Sequence, residues 1–132
     1  METNKLYTIA ADNGITVDFF PLPQNKSVSI RTKGKEYVAL DPEIFGCQER
    51  VCLAHELGHC ATAGFYNLHS PLDLREKHER RAWSWAIRFL VPLKELKKAQ
   101  KEGYTDIGQL AEYFSVTQDF MQRTMDYYMQ NQ

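Results

Sequence analysis

Residues 52 to 60 read CLAHELGHC, in which two histidines stand four apart and a glutamate directly follows the first. On a helix of 3.6 residues per turn, His55 and His59 lie one turn apart and nearly in line, so both imidazoles can reach one ion. Glu56 falls about 100° further round, which sets its carboxylate beside the ion instead of on it, where it can take a proton from an attacking water. Zinc suits such a site because it accepts imidazole and carboxylate and lowers the pKa of bound water to about 7. With this chain's content of His and Glu, an accidental HExxH has a likelihood on the order of one in a hundred. The pentapeptide therefore needs support from the rest of the chain.

A catalytic zinc needs a third protein ligand and one open position. The continuation HExxHxxGxxH is absent, since Thr62 stands where Gly should and Phe65 where the last His should. The remaining candidates are His69, Asp73, Glu76, His78 and Glu79. Glu79 is favoured because Ala82 and Ala86 share its side of a helix at i+3 and i+7, and small residues there let that helix come close. His78 also has Ala82 on its side, so periodicity leaves both open. Cys52, three residues before His55, could approach as a soft extra ligand but is not needed for a three-ligand site.

The elements that must position these groups are legible in outline. KLYTIAADNG reads as a short helix stopped by Asn13-Gly14. ITVDFF (15 to 20) reads as a strand ended by Pro21 and Pro23, and SVSIRTKGKEYVAL (27 to 40) as a hairpin turning at Lys33-Gly34-Lys35, with Val28 and Ile30 as its apolar alternation. Three short antiparallel strands are expected. From about Cys47 to Ala63 the apolar residues recur at helical spacing, with Gly64 as the stop, so HELGH lies within a helix. FYNLHSPLDL (65 to 74) reads as a loop, and a second long helix is expected from about Asp73 to Val91, where Pro92 interrupts it or starts the next. The tail reads as two helices capped by Asp106 and Thr117 with a break at Ser115-Val116, a spacing that fits a helix-turn-helix.

These readings predict an α+β fold: one compact domain over 1–132, a small antiparallel sheet packed with the HExxH helix and a second long helix, and a helical tail over 103–132. Hydrophobic residues at 43% and charged residues at 25% exclude wholesale disorder. A net charge of -1 predicts no general attraction to nucleic acid or membrane. The start METNKLYTIAADNG lacks the pattern of a secretory signal and no stretch is apolar enough to span a bilayer, so a cytoplasmic location is expected. Cys47, Cys52 and Cys60 then read as free thiols and small buried residues.

CLAHELGHC followed by ERRAWSWAIRFLVP resembles the ImmA/IrrE-type zinc metallopeptidases. Their pattern is an HExxH helix, then a Glu, an Ala three later, an aromatic-Ala pair and an apolar run ending in Pro. Glu79, Ala82, Trp85-Ala86 and Phe89-Leu90-Val91-Pro92 match it, and the preceding small sheet and QLAEYFSVTQDFMQR extend the likeness over most of the chain. The resemblance implies a zincin-like fold and one Zn2+ held by His55, His59 and Glu79, with Glu56 as general base. Trp83 departs from it, because the family commonly has Asp or Asn there, so a polar role at that position is not carried over. His69, His78 and Tyr66 are near enough in sequence to stabilise an oxyanion, but none is placed in the site.

The resemblance further implies a protein substrate, a helix-turn-helix repressor of a phage or other mobile element, and hence an antirepressor role. Two other classes compete: a metal-containing regulatory or toxin-like protein that acts by binding, and a DNA-binding module using the tail. Glu56 argues against the first, since a purely structural site has no use for a base there. Charge argues against the second. Residues 75 to 101 hold nine Lys or Arg against three Glu, but from Tyr104 onward the balance is -3, the wrong sign for approaching phosphates. The tail is thus expected to be a packing unit or protein-docking surface, with no direct DNA binding.

Overall fold

The computed structural model describes residues 2–63, 65 and 71–131. Its first helix, α1 (Glu2–Asp12), buries Leu6 and Ala10 and ends where Gly14 adopts a φ of 70° and the Asn13 side chain donates to the Ile9 carbonyl. Three strands follow: β1 (Thr16–Phe19), β2 (Ser27–Thr32) and β3 (Lys35–Leu40). Lys33 and Gly34 alone join β2 to β3, both with positive φ, the backbone that tight hairpins require.

The sheet is not wholly antiparallel. Its order is β1-β3-β2, and β1 runs parallel to β3, with Thr16 opposite Tyr37 and Phe19 opposite Leu40. Residues 20–26 carry the chain from β1 to a β2 that runs the other way, and the hairpin then folds β3 back between them. β3 takes the central place because Val38 and Leu40, almost fully buried, are the sheet's main contribution to the core. Register also decides which side of β2 faces inward. Ser27 pairs with Leu40 and Ser29 with Val38, so the serines share the core-facing side, whereas Ile30 pairs with Tyr37 on the outer face and is half exposed.

α2 (Gly46–Ala61) carries HELGH and buries Val51, Leu53, Ala54, Leu57 and Cys60. The stop expected at Gly64 lies outside the described residues. α3 (Leu72–Leu90) takes the last three residues of the stretch expected to be a loop, because Pro71 needs no helical N–H and Asp73 favours a first turn. Pro92 separates it from α4 (Leu93–Lys101). α5 (Ile107–Phe114) opens on a capping box between Asp106 and Gln109, and α6 (Gln118–Gln130) on Thr117, whose hydroxyl accepts from the Phe120 amide. Between them Ser115 is left-handed, and buried Arg50 of α2 donates to the Phe114 and Ser115 carbonyls that α5 leaves open. Leu110, Ala111, Val116, Phe120 and Met121 join the same hydrophobic cluster as Leu53 and Leu57, so the tail packs onto the common core. All three cysteines are free, but Cys47 is exposed, contrary to expectation, since it sits in the first turn of α2 before the helix reaches the core.

Candidate metal centre

α2 and α3 meet at glycine and alanine. A Cβ on Gly58 would lie 2.4 Å from the Ala82 carbonyl oxygen, so only a hydrogen fits there. Ala82 and Ala86 are fully buried along the same seam. One turn before Ala82, this approach sets the Glu79 carboxylate over the two imidazoles: its Oε1 is 2.9 Å from His55 Nε2 and its Oε2 is 2.8 Å from His59 Nε2.

The donor atoms of His55, His59 and Glu79 lie within 4.8 Å of one another, and among the described residues no other group of three such side chains comes together. Two donors about 2.1 Å from a tetrahedral ion stand about 3.4 Å apart, so the spacing suits an ion entering between the carboxylate and the rings. Two imidazoles and a carboxylate are also a donor set that zinc accepts while keeping a fourth position open. Asp73, Glu76, His78 and Cys52 do not join the group. His69 and Tyr66 lie outside the described residues.

Glu56 is buried beside this group. Its Oε2 is 3.4 Å from His55 Nδ1, the ring nitrogen turned away from Glu79, and accepts a hydrogen bond of 2.7 Å from Ser27 Oγ. Burial pushes its pKa up, but the hydrogen bond and charge of His55, with help from Ser27 and Ser29, hold it below the ordinary glutamate value. The carboxylate is therefore ionised at neutral pH. Ser27 and Ser29 were not singled out from sequence, although their alternation along β2 was the available signal. Gly58 was likewise missed, though a glycine inside a helix costs about 1 kcal/mol relative to alanine and so points to a packing need.

Comparison with known protein families matches residues 10–126 to Peptidase_M78, the IrrE N-terminal-like domain. The chain belongs to this peptidase family. No curated relative matches it. For a member of the IrrE N-terminal-like family, the groups just described border a cavity of about 300 Å³, walled by Asn25, Ser27, Val28 and Ser29 on one side and by His55, Glu56, His59, Phe65 and Glu79 on the other. A larger groove of about 1650 Å³ runs between α3 and α6 and shares Glu79 with it. Size favours that groove, but the converging donors and the buried carboxylate lie in the smaller cavity, and chemistry decides between them. No helix among the described residues is long and apolar enough to cross a membrane.

Burial disfavours a charge on His55, but its hydrogen bonds to Glu56 and Glu79 outweigh that and raise its pKa from 6.5 to about 9. In the metal-free chain the imidazole is cationic at neutral pH. Because the folded value is raised, this proton stabilises the metal-free fold fully below about 6.5, and the contribution is lost as pH climbs through about 9. A metal must displace the same proton. Zinc affinity is therefore expected to rise by up to about tenfold per pH unit and to level off above about 9. Competition titrations across that range measure it, and a flat profile would show that no proton leaves His55.

Proposed function

We propose that the chain is a zinc-dependent endopeptidase in which His55, His59 and Glu79 hold the ion and Glu56 is the general base. The observation that carries this reading is the convergence of three donors beside a buried, ionised carboxylate, in a chain of a peptidase family. A zinc ion held there supplies a Lewis acid that polarises the scissile carbonyl and acidifies water. Glu56 takes the proton of the attacking water and returns it to the leaving amine. Ser27 keeps its carboxylate turned into the cavity. Among the described residues β2 is an edge strand, and its Ser27, Val28 and Ser29 wall the same cavity, so an extended peptide pairing along that edge would pass its scissile bond across Glu56.

We further propose that residues 1–132 act as one domain in the cytoplasm, and that the substrate is a helix-turn-helix repressor of a phage or mobile element. The likeness of CLAHELGHC and ERRAWSWAIRFLVP to the ImmA/IrrE-type proteins supports the substrate, and the packing of α5 and α6 onto the common core supports the single unit. Metal analysis tests the site directly. Purified protein is expected to carry about one equivalent of zinc, and His55→Ala, His59→Ala and Glu79→Ala each to lose most of it, because removing one of three ligands leaves an incomplete set. Full occupancy in Glu79→Ala would move the third ligand elsewhere, with His78→Ala tested next.

A further inference from the structure

In-plane hydrogen bonds do not by themselves fix an imidazole. His55 has Glu56 at Nδ1 and Glu79 at Nε2, and a ring held only by those two contacts can rock about the line that joins them. Its plane is set by whatever lies against its face. The flat surface there is Trp83 of α3, stacked on His55 with ring centroids 4.0 Å apart and planes 13° from parallel, while the His59 ring meets His55 only edgewise, 4.8 Å away at 67°. Trp83 is itself held by α6: the Arg123 guanidinium lies 4.1 Å from the indole ring and Phe120 packs 6.0 Å away at a tilt. Trp83 stands one residue past Ala82, so the seam that brings Glu79 to the rings also brings the indole to His55.

We propose that Trp83, stacked on His55 and backed by Arg123, is the positioning residue that aims the His55 imidazole at the metal, and that α6 thereby contributes to metal affinity. This rests on His55 being a ligand, as argued above. Residues that orient a metal-bound histidine usually do so through a hydrogen bond. Here both ring nitrogens are already engaged, and an aromatic plane supplies the remaining constraint. The contact between an exposed arginine and the indole is the weaker part of the device, because cation–π attraction is reduced in water.

The test is zinc affinity by competition with a chromophoric chelator, measured for the wild type, Trp83→Phe, Trp83→Leu and Arg123→Met, each also in a His55→Asp background, where a carboxylate replaces the imidazole as a donor and measurable binding is kept. Melting of the chelated proteins confirms folding. Trp83→Leu keeps an apolar side chain but no flat face, and is expected to weaken zinc by about 10- to 100-fold. Trp83→Phe should recover most of that loss, and Arg123→Met should cost about two- to fivefold. In the His55→Asp background all three changes should have no effect, since the ring they position is gone. Equal losses with and without His55, or wild-type affinity in Trp83→Leu, would overturn the proposal while leaving the metal site intact. If Trp83→Leu does not fold, Arg123→Met decides by the same comparison: a loss that requires His55 supports the proposal, and no loss overturns it. A wild type that takes up no zinc overturns the metal-site reading and this inference with it.

Discussion

Glu56→Gln is expected to lower peptide-bond turnover by at least about 10²- to 10⁴-fold, the contribution general-base catalysis typically makes. The change keeps the shape of the side chain and an oxygen able to accept from Ser27 Oγ, so the 2.7 Å hydrogen bond and the packing of α2 can survive. The group that takes the proton from water is gone. Zinc content should be unchanged, because Glu56 lies outside the cluster of donors. Substrate binding should also persist, so the variant is expected to trap its target. Cleavage is best followed on the proposed helix-turn-helix repressor substrate, with derepression and zinc measured on the same samples. Derepression at wild-type level by a zinc-loaded Glu56→Gln protein, with the repressor intact, would mean that the site serves binding and not hydrolysis.

The second large effect is expected far from any reacting atom, at Gly58. An added methyl would sit 2.4 Å from the Ala82 carbonyl oxygen and about 3.0 Å from the Ala82 carbonyl and α carbons. All three are backbone atoms and cannot rotate away. Restoring ordinary contact requires α2 and α3 to part by roughly 1 Å, in an interior packed too tightly to absorb the shift. Overpacking of this kind costs about 1–3 kcal/mol, set against about 1 kcal/mol that alanine gains over glycine in a helix. The loss of function should be larger than the loss of stability. Glu79 rides on α3 and would retreat from both histidines, and a misplacement of about 1 Å can lower turnover by about 10²-fold. Gly108→Ala is the control, since a Cβ there meets Asp106 Oδ1 at 3.5 Å and Gln118 Nε2 at 3.8 Å, ordinary contacts. It should melt no lower than the wild type. Equal zinc affinity and turnover in Gly58→Ala would show that the seam between the helices is not what sets the Glu79 distance.

What could be read from sequence was mostly what local physics decides. The caps at Asp106 and Thr117, the stop after Asp12 and the hairpin turn expected at Lys33-Gly34-Lys35 follow from backbone preferences of a few residues, and the structure places them there, with Lys35 already the first residue of β3. The pairing of His55 with His59 is also local, fixed by one turn of helix. Non-local choices were harder. The partner of β1 depends on which strand the core selects for the centre of the sheet, and no feature of ITVDFF records that it runs parallel to β3. In β2 the alternation of Val28 and Ile30 with polar residues marked a strand but not its inner side, which carries Ser27 and Ser29 because it faces a cavity that holds a charged carboxylate. For the third donor, the small residues Ala82 and Ala86 favoured Glu79, periodicity left His78 open beside it, and the likeness to a family implied Glu79. The structure brings Glu79 to both rings, a placement set by a glycine twenty-one residues earlier. Trp83 was visible only as a mismatch. Its stacking on His55 depends on α3 crossing α2, which no window of sequence contains.

The side of β2 that no other described strand pairs with has one further consequence, for colloidal behaviour. A strand with unpaired amides and carbonyls can pair with its counterpart on another molecule as readily as with a peptide, and Ile30 and Tyr37 on the outer face would add apolar contact to such a ribbon. Residues 26 to 35 carry Lys26, Lys33 and Lys35, together with Arg31, which is paired with Glu36 of β3 at 3.1 Å, and no acidic side chain of their own. Two copies aligned edge to edge would set these cations against one another, whereas an incoming chain of other composition meets no such repulsion. The repulsion acts over about 8 Å at physiological ionic strength and shrinks to about 3 Å at 1 M. Salt therefore works against solubility here: the more concentrated the electrolyte, the less the strand distinguishes a guest from its own twin.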